Sequence, residues 1–526
     1  MIYALALAFG VAQALLVFPA AFLWPMGAPD WRPAGDAAQH MIAQRYLIAA
    51  PWGWPPAFVA TLNTQEGGLN TVFADSIPLL TLTLKLFRTW LPEGFHGVGL
   101  FYGIAWALQP VAAVFALRSA GERRWLPALG VALAASAMPA WIGRFGHAAL
   151  CGHFLLLVGL GLYLRLVARP TPGLWLAAIL LQPAALLIHP YLAAMTLALL
   201  GAVPATRLLR GEAFVAAGLA VGVAFAAVLG VMVGFGYLGA AGDGGYGMFA
   251  MNLLSPLWPA GSGLIGWPWS PQLDATGHGG WEGYNWLGLG LLAALAVGLL
   301  GRPGLALRGL RSHAGLVLVA LALTALAVSH KVGFGGSIVL DLGAAPGPLE
   351  QFRASGRFFW PVAYALLIGG FVLLARRRRL GAVLCLVVGL VQFADAQPLR
   401  AAIMEWSAQR APWRIDAAGL RPELARATRL TLLPSWPCVE HATGGETFST
   451  LLEVLALASE RAVPANTMYV ARWRTPPQCR DEALAAAPLA PGELRLFLPA
   501  AQARLIPLVP EGATRCTPIG DLLACR

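Results

Sequence analysis

The stretch Trp360-Pro-Val-Ala-Tyr-Ala-Leu-Leu-Ile-Gly-Gly-Phe-Val-Leu-Leu-Ala375-Arg376-Arg-Arg-Arg379-Leu380-Gly-Ala-Val-Leu-Cys-Leu-Val-Val-Gly-Leu-Val-Gln-Phe-Ala-Asp-Ala396 sets two apolar runs on either side of four consecutive arginines. A helix needs roughly 20 apolar residues to cross a hydrocarbon core about 30 Å thick. The two runs, taken as 357–375 and 380–396, come close to that length. Guanidinium groups are costly inside hydrocarbon, so the arginines at 376–379 belong to a loop between two crossings. Loops rich in Lys and Arg face the cytoplasm. One stretch therefore predicts a pair of transmembrane helices and the side on which they join.

The same pattern recurs outward from it. The 526-residue chain is 58% hydrophobic and only 12% charged, against about 25% charged in a soluble globular protein. Arg118, Arg123 and Arg124 form a second basic cluster; Arg165 and Arg169, Arg207 and Arg210, and Arg302, Arg308 and Arg311 form three more. With all five clusters on the cytoplasmic side, the chain is expected to be an α-helical polytopic membrane protein over 1–397. About eleven transmembrane helices are expected, near 2–24, 97–117, 125–143, 148–167, 174–189, 191–206, 213–238, 286–301, 313–329, 357–375 and 380–396. Residues 1–24 lack a basic n-region and run too long for a signal peptide, so an uncleaved first helix is expected there. The stretch 76–91 is apolar enough to cross, but a crossing there would move Arg118, Arg123 and Arg124 outside. It is expected instead as a helix lying on the outer face, with Lys85 and Arg88 snorkelling. Of the 13 acidic residues before Arg400, only Glu122 and Glu212 then fall on the cytoplasmic side. Three long loops, 25–96, 239–285 and 330–356, face outward, and chemistry that needs loops belongs there.

Past residue 397 the pattern changes. Segments at 429–433, 467–470 and 494–498 read as short buried strands, and 449–460 and 481–487 as helices, which predicts a small extracytoplasmic α/β domain over 398–526. It holds Cys438, Cys479, Cys516 and Cys525, while Cys151 and Cys385 sit in apolar spans. An even set confined to a soluble domain predicts disulfides and an oxidising compartment. Of the three possible pairings, Cys438–Cys479 with Cys516–Cys525 is favoured; zinc is the rival, without a Cys-x-x-Cys spacing to support it. The net charge of +11 does not point to nucleic acid. From Arg400 onward 14 basic residues face 12 acidic ones, and the remaining excess, 22 against 13, sits in loops between spans. No Gly-x-x-x-x-Gly-Lys-Ser/Thr loop and no His-Glu-x-x-His pattern occurs, which argues against an ATP-driven pump.

Four loop motifs carry the chemistry. Gly35-Asp36-Ala-Ala-Gln39-His40-Met-Ile-Ala-Gln44 opens an amphipathic helix with Asp36, His40 and Gln44 one turn apart, although an N-cap carboxylate gives the same pattern. Phe73-Ala-Asp75-Ser76-Ile-Pro78 supplies a second carboxylate, either another cap or half of an acid pair in which one group is the base and the other orients or holds metal. Arg144 and His147 lie in a tight turn between spans. Trp281-Glu282-Gly283-Tyr284-Asn285-Trp286-Leu-Gly288 precedes a span, and Arg353-Ala-Ser355-Gly356-Arg357-Phe-Phe-Trp360-Pro361 brings two arginines to a helix N-terminus. That arrangement suits a phosphate or pyrophosphate, and it runs against the positive-inside bias.

At these motifs the chain resembles a bacterial polytopic membrane family of unknown function that is itself similar to the type C glycosyltransferases. The resemblance covers most of the chain. It implies a multi-pass protein of the bacterial inner membrane whose large first outer loop carries membrane-lying helices. It also implies a polyprenyl-phosphate-linked sugar as donor, a glycan or glycolipid as acceptor, and a periplasmic tail, which in such enzymes is often without a catalytic role. Asp36 matches the first-loop acid that serves as base or metal-associated carboxylate, and Asp75 matches the second acid loosely. Ala37 stands where the familiar paired-acid motif has its second acid, so a divalent metal is an open expectation. His40, Arg144, His147, Glu282, Tyr284, Asn285, Arg353 and Arg357 are the expected substrate and phosphate contacts. A flippase for a lipid-linked saccharide and a non-catalytic envelope assembly protein are the competing readings; a transporter predicts polar residues deep within spans, where Gln109 and Gln182 lie.

Overall fold

The computed structural model describes residues 1–25, 34–242, 244–265, 273–278, 280–408, 412–439, 444–510 and 515–526. Among these, five helices are long and apolar enough to cross a membrane: Val98–Ser119, Ala148–Ala168, Pro190–Leu209, Val215–Phe235 and Ser355–Ala375. Two bent pairs, Leu289–Gly301 with Pro303–Ser312 (103°) and Arg379–Asp395 with Gln397–Ala408 (48°), raise the number to as many as seven. Ile2–Val17, Trp125–Ala135, Pro172–Leu186 and Ala314–Val328 are shorter apolar helices. Ala148–Ala168 is the central helix, with 83% of its apolar window buried, whereas Val215–Phe235 is peripheral at 17%. A helix that is apolar all round yet so exposed is compatible with a lipid surrounding.

Several expected elements differ, with identifiable causes. The first helix ends at Val17 and resumes only as Ala20–Leu23, because Pro19 interrupts it. The helix expected over 125–143 stops at Ala135, ahead of Pro139, which opens a separate turn. The helix expected over 76–91 is confined to Pro78–Leu86; of the two cations expected to snorkel, Arg88 is exposed and Lys85 is not. Lys85 is buried, donating to the Pro51 carbonyl at 3.2 Å over the Trp52 ring, and Arg88 donates to the Ala50 carbonyl at 2.8 Å. Both serve to hold the loop 50–52 against that helix. Elsewhere, helices approach at glycine. A Cβ on Gly130 would lie 2.2 Å from the Cys385 carbonyl, and one on Gly389 would lie 2.4 Å from the Gly130 carbonyl. Small residues let two backbones meet in this way.

The tail folds on a four-stranded sheet in the order Arg429–Leu433, Glu493–Phe497, Leu522–Cys525, Cys516–Ile519. The first pair is parallel and the others antiparallel. Helices Gly444–Glu460 and Asp481–Ala486 accompany it. Disulfides join Cys438 to Cys479 and Cys516 to Cys525. The strand expected at 467–470 is instead part of an irregular strap, 465–477, which leaves the sheet and lies on the membrane domain. Isolated bridges join it to the first large loop at Leu62 and Ala465 and to the second at Ala241 and Trp473. Arg472 donates to the Gln351 carbonyl at 2.5 Å, reaching the third loop.

Candidate functional site

The site is built on the helix Gly35–Ala49, which is capped by Ala34 without a side-chain bond, so Asp36 is free for other contacts. Its carboxylate is half-exposed and accepts a hydrogen bond from the Tyr469 hydroxyl of the strap at 3.1 Å. Gln39, on the same helix, donates to the Tyr469 carbonyl at 2.7 Å. The second Asp36 oxygen lies 3.2 Å from His147 Nε2, which is 3.5 Å from Glu282 Oε1. Burial pushes the His147 imidazole down to about 4, against the pull of Glu282 and Asp36. At neutral pH the ring is therefore uncharged, and an Nε2 facing two carboxylates is the nitrogen that carries the proton.

Glu282 sits behind His147, buried between two guanidiniums. Arg144 Nη1 donates to Oε2 at 2.6 Å, and Arg357 donates from Nε at 3.0 Å and from Nη2 at 2.8 Å. Burial alone would raise the Glu282 carboxyl, but Arg357 and Arg144 outweigh it and hold the group ionised far below the usual carboxylate range. The Arg357 guanidinium also lies over the Tyr191 ring, 4.9 Å from its centre.

Asp75 forms a second acidic centre. It is in the left-handed region at φ 46°, and the following Pro78–Leu86 helix is capped by Ile77 rather than by Asp75 or Ser76. A non-glycine residue in that conformation is strained, and strain of this kind gathers at functional positions. His40 Nε2 stands 3.7 Å and His189 Nε2 3.6 Å from its two oxygens. Burial opposes ionisation of Asp75, yet His189 and His40 hold it well below the usual range. His40 is fully buried, and neither of its ring nitrogens makes a hydrogen bond among the described residues. The rings of His40 and His147 lie 6.1 Å apart, which joins the Asp75 and Asp36 centres into one cluster.

A family model described as a domain of unknown function (DUF6311) matches residues 7–397, and a second, the DUF6311 C-terminal domain, matches 420–526. The chain belongs to the DUF6311 family. No curated protein matches it. In this DUF6311 chain the two matched regions meet at the cluster just described: Asp36, Asp75, His147 and Glu282 come from the first, and Tyr469 from the second.

The expected contacts divide into three groups. Asp36, His40, Asp75, Arg144, His147, Glu282 and Arg357 converge. Arg353 lies at their edge, half-buried over Phe249 and close enough to Tyr469 to act on its hydroxyl; its own side chain has no ion pair or hydrogen bond among the described residues. Arg357 was expected as the second half of a phosphate clamp; the Nε–Nη2 edge of its guanidinium is bonded to Glu282, a carboxylate it shares with Arg144. Tyr284 and Asn285 do not join the cluster. Tyr284 donates to the Ala260 carbonyl at 2.7 Å, and Asn285 donates to the Gly283 and Gly356 carbonyls, tying the second loop to the third.

For a metal ion the donors are Asp75, His40 and Asp36. His189 is a poor ligand: its Nδ1 accepts the Tyr191 backbone N–H at 3.1 Å, so its proton is on the Nε2 that faces Asp75, and a ligating nitrogen must be unprotonated. Among the described residues, the one group of three with ligand atoms within 4.8 Å of one another is Cys438, Cys479 and Asp481, and its two sulfurs are joined in a disulfide. Tyr469, His189 and Gln39 escaped the sequence reading. The first looked like part of a strand; the second was masked by the apolar span it borders.

Proposed function

We propose that this DUF6311 chain is a membrane glycosyltransferase that moves a sugar from a polyprenyl-phosphate donor to a glycan or glycolipid acceptor at the outer face of the bacterial inner membrane. In this reading the four shorter apolar helices also cross, giving eleven spans, and the basic clusters lie in the cytoplasm with the tail in the periplasm. The observation that carries the reading is the division of labour between two carboxylates. Glu282 is buried and neutralised by two arginines, whereas Asp36 remains half-exposed, held by a tyrosine and a neutral histidine. Pairs of acids driven into such different environments are a mark of acid–base chemistry.

Asp36 takes the proton of the acceptor hydroxyl as that oxygen bonds to the anomeric carbon. The bond from the anomeric carbon to the phosphate oxygen breaks, and its electron pair leaves with the polyprenyl phosphate. Arg353, which has no ion pair among the described residues, stabilises that leaving phosphate. His147 fixes the Asp36 carboxylate through its Nε2–H. A divalent ion bound at Asp36 or Asp75 would add charge stabilisation at the same phosphate.

The test is release of polyprenyl phosphate from radiolabelled polyprenyl-phosphate sugars by the purified full-length protein. Asp36→Asn is expected to lower turnover by about 10²–10⁴-fold with an unchanged thermal midpoint. Wild-type turnover in a folded Asp36→Asn protein would remove Asp36 from the base role. A transporter reading has its own support in a polar chain inside the helices: Gln109 donates to the Tyr364 hydroxyl at 2.7 Å, and that hydroxyl lies 2.9 Å from His153 Nδ1. Movement of a fluorescent lipid-linked saccharide across proteoliposomes, insensitive to Asp36→Asn, would favour it.

A further inference from the structure

Beside the acidic cluster lies a cavity of about 370 Å³ between the first large loop and the strap, within the range of small-molecule sites, about 300–1,000 Å³. Trp54, Phe58, Phe73 and Trp473 line it together with Asn63 and Glu66. Two of its residues touch the chemistry through the chain. Phe73 is followed at one remove by Asp75, and Val470, also in the wall, follows Tyr469, the partner of Asp36.

Three observations give the cavity a ligand chemistry. Its aromatic rings are unevenly buried: Trp54 is 76% exposed and Phe58 38%, so neither ring is packed over by the fold. Asn63 is only 8% exposed and lines the cavity, yet its side-chain amide makes no hydrogen bond among the described residues. It is also held at φ 62°, a conformation that leaves asparagine less strained than most residues but still costs energy. Finally, the flanking Gly67 and Gly68, at φ 80° and 112°, bring bare backbone to the rim. Of the nearby charges, Arg472 is already bonded to the Gln351 carbonyl, Arg474 to the Gly236 carbonyl, and Glu66 to the Gln478 backbone N–H. Each of these three makes one such bond, and beside them stand an aromatic surface and a neutral amide with no bond of its own among the described residues. A sugar ring fits that pair: its C–H faces carry partial positive charge that meets the negative face of an aromatic ring, and its hydroxyls need neutral donors and acceptors.

We propose that this cavity is a saccharide subsite that holds the acceptor glycan, with Trp54 and Trp473 as stacking surfaces and Asn63 as the hydroxyl-reading group. The assignment of the sugar as acceptor rests on the transferase reading; the binding of a saccharide does not.

The experiment probes an array of bacterial surface oligosaccharides with the detergent-purified full-length protein. Wild type is expected to bind a subset of them. Trp54→Ala, a truncation at an exposed ring that the fold does not need, and Asn63→Ala are each expected to weaken that binding about tenfold, the loss of one stacked ring or one hydrogen bond. Absence of binding to any saccharide, or binding untouched by both variants, would overturn the proposal. Were the transferase reading alone wrong, array binding would remain sensitive to Trp54 and Asn63 while no preparation released polyprenyl phosphate. Were the subsite alone wrong, release would proceed and Trp54→Ala would leave the acceptor KM unchanged.

Discussion

A carboxylate buried between two guanidiniums, as Glu282 is between Arg144 and Arg357, organises its neighbours by charge as much as by hydrogen bonds. Glu282→Gln keeps the shape but removes the counter-charge from both arginines at once. Breaking a buried ion pair from one side costs about 3–5 kcal/mol, because the stranded charge has nowhere to go. The variant is therefore expected to unfold at a clearly lower temperature in detergent. Asp36→Asn should not, since Asp36 is half-exposed and satisfies no buried cation. A Glu282→Gln protein as stable as wild type would mean that Arg144 and Arg357 find another counter-ion, and the contrast between the two acids would collapse. The same contrast explains what the sequence could say about single residues. That Asp36, Glu282 and Arg357 would meet on one side followed from charge placement. That Arg357 would pair with Glu282 did not, because their pairing joins loops 75 positions apart and no local spacing reports it.

The helix Gly35–Ala49 shows the same limit one level up. Its spacing of Asp36, His40 and Gln44 was legible, and the three do point into the membrane domain, toward His147, toward Asp75 and toward the Gly97 backbone N–H. Its remaining polar residues are buried. Arg45 donates to the Gly94 carbonyl at 2.7 Å, to the Ala456 carbonyl at 3.2 Å and to the Ser459 hydroxyl at 3.2 Å, while Tyr46 donates to the Val463 carbonyl. All of these partners but Gly94 lie more than 400 residues away in the tail, so periodicity along the helix had no means of showing that both faces are covered. The contacts make a prediction about the element. Arg45→Met retains the apolar stem but removes the bonds to Ala456 and Ser459 of the tail and leaves the Gly94 carbonyl without a donor among the described residues, a loss of about 1–3 kcal/mol. Limited proteolysis is expected to release the tail at lower protease concentration than in wild type. An unchanged digestion pattern would show that the strap and the disulfide-bonded sheet suffice to dock the tail, and that Arg45 is passive in the interface.

At the scale of the whole molecule, everything proposed for the site depends on which side of the membrane it faces, and the arrangement of cysteines makes that measurable. Four of the six are paired in disulfides, and the two free thiols, Cys151 and Cys385, are buried, so the wild-type chain presents no accessible thiol. A single introduced cysteine therefore reports cleanly on its own location. Ala503, exposed on the tail helix Pro499–Leu505, marks the side of the acidic cluster, because the tail carries Tyr469. Gly304, exposed on Pro303–Ser312 with open space where a Cβ would go, marks the side of the basic clusters, since Arg302, Arg308 and Arg311 belong to the same turn and helix. The proposed orientation follows from the bias of Lys and Arg toward the cytoplasm. Arg353 and Arg357 run against that bias; for Arg357 the buried ion pair with Glu282 offsets the charge. With a membrane-impermeant maleimide on intact cells whose outer membrane has been permeabilised, Ala503→Cys is expected to label fully. Gly304→Cys is expected to label only after the inner membrane is broken. The reverse pattern would turn the acidic cluster toward the cytoplasm. The disulfides would then face a reducing compartment, and a donor presented at the outer face could not reach Asp36.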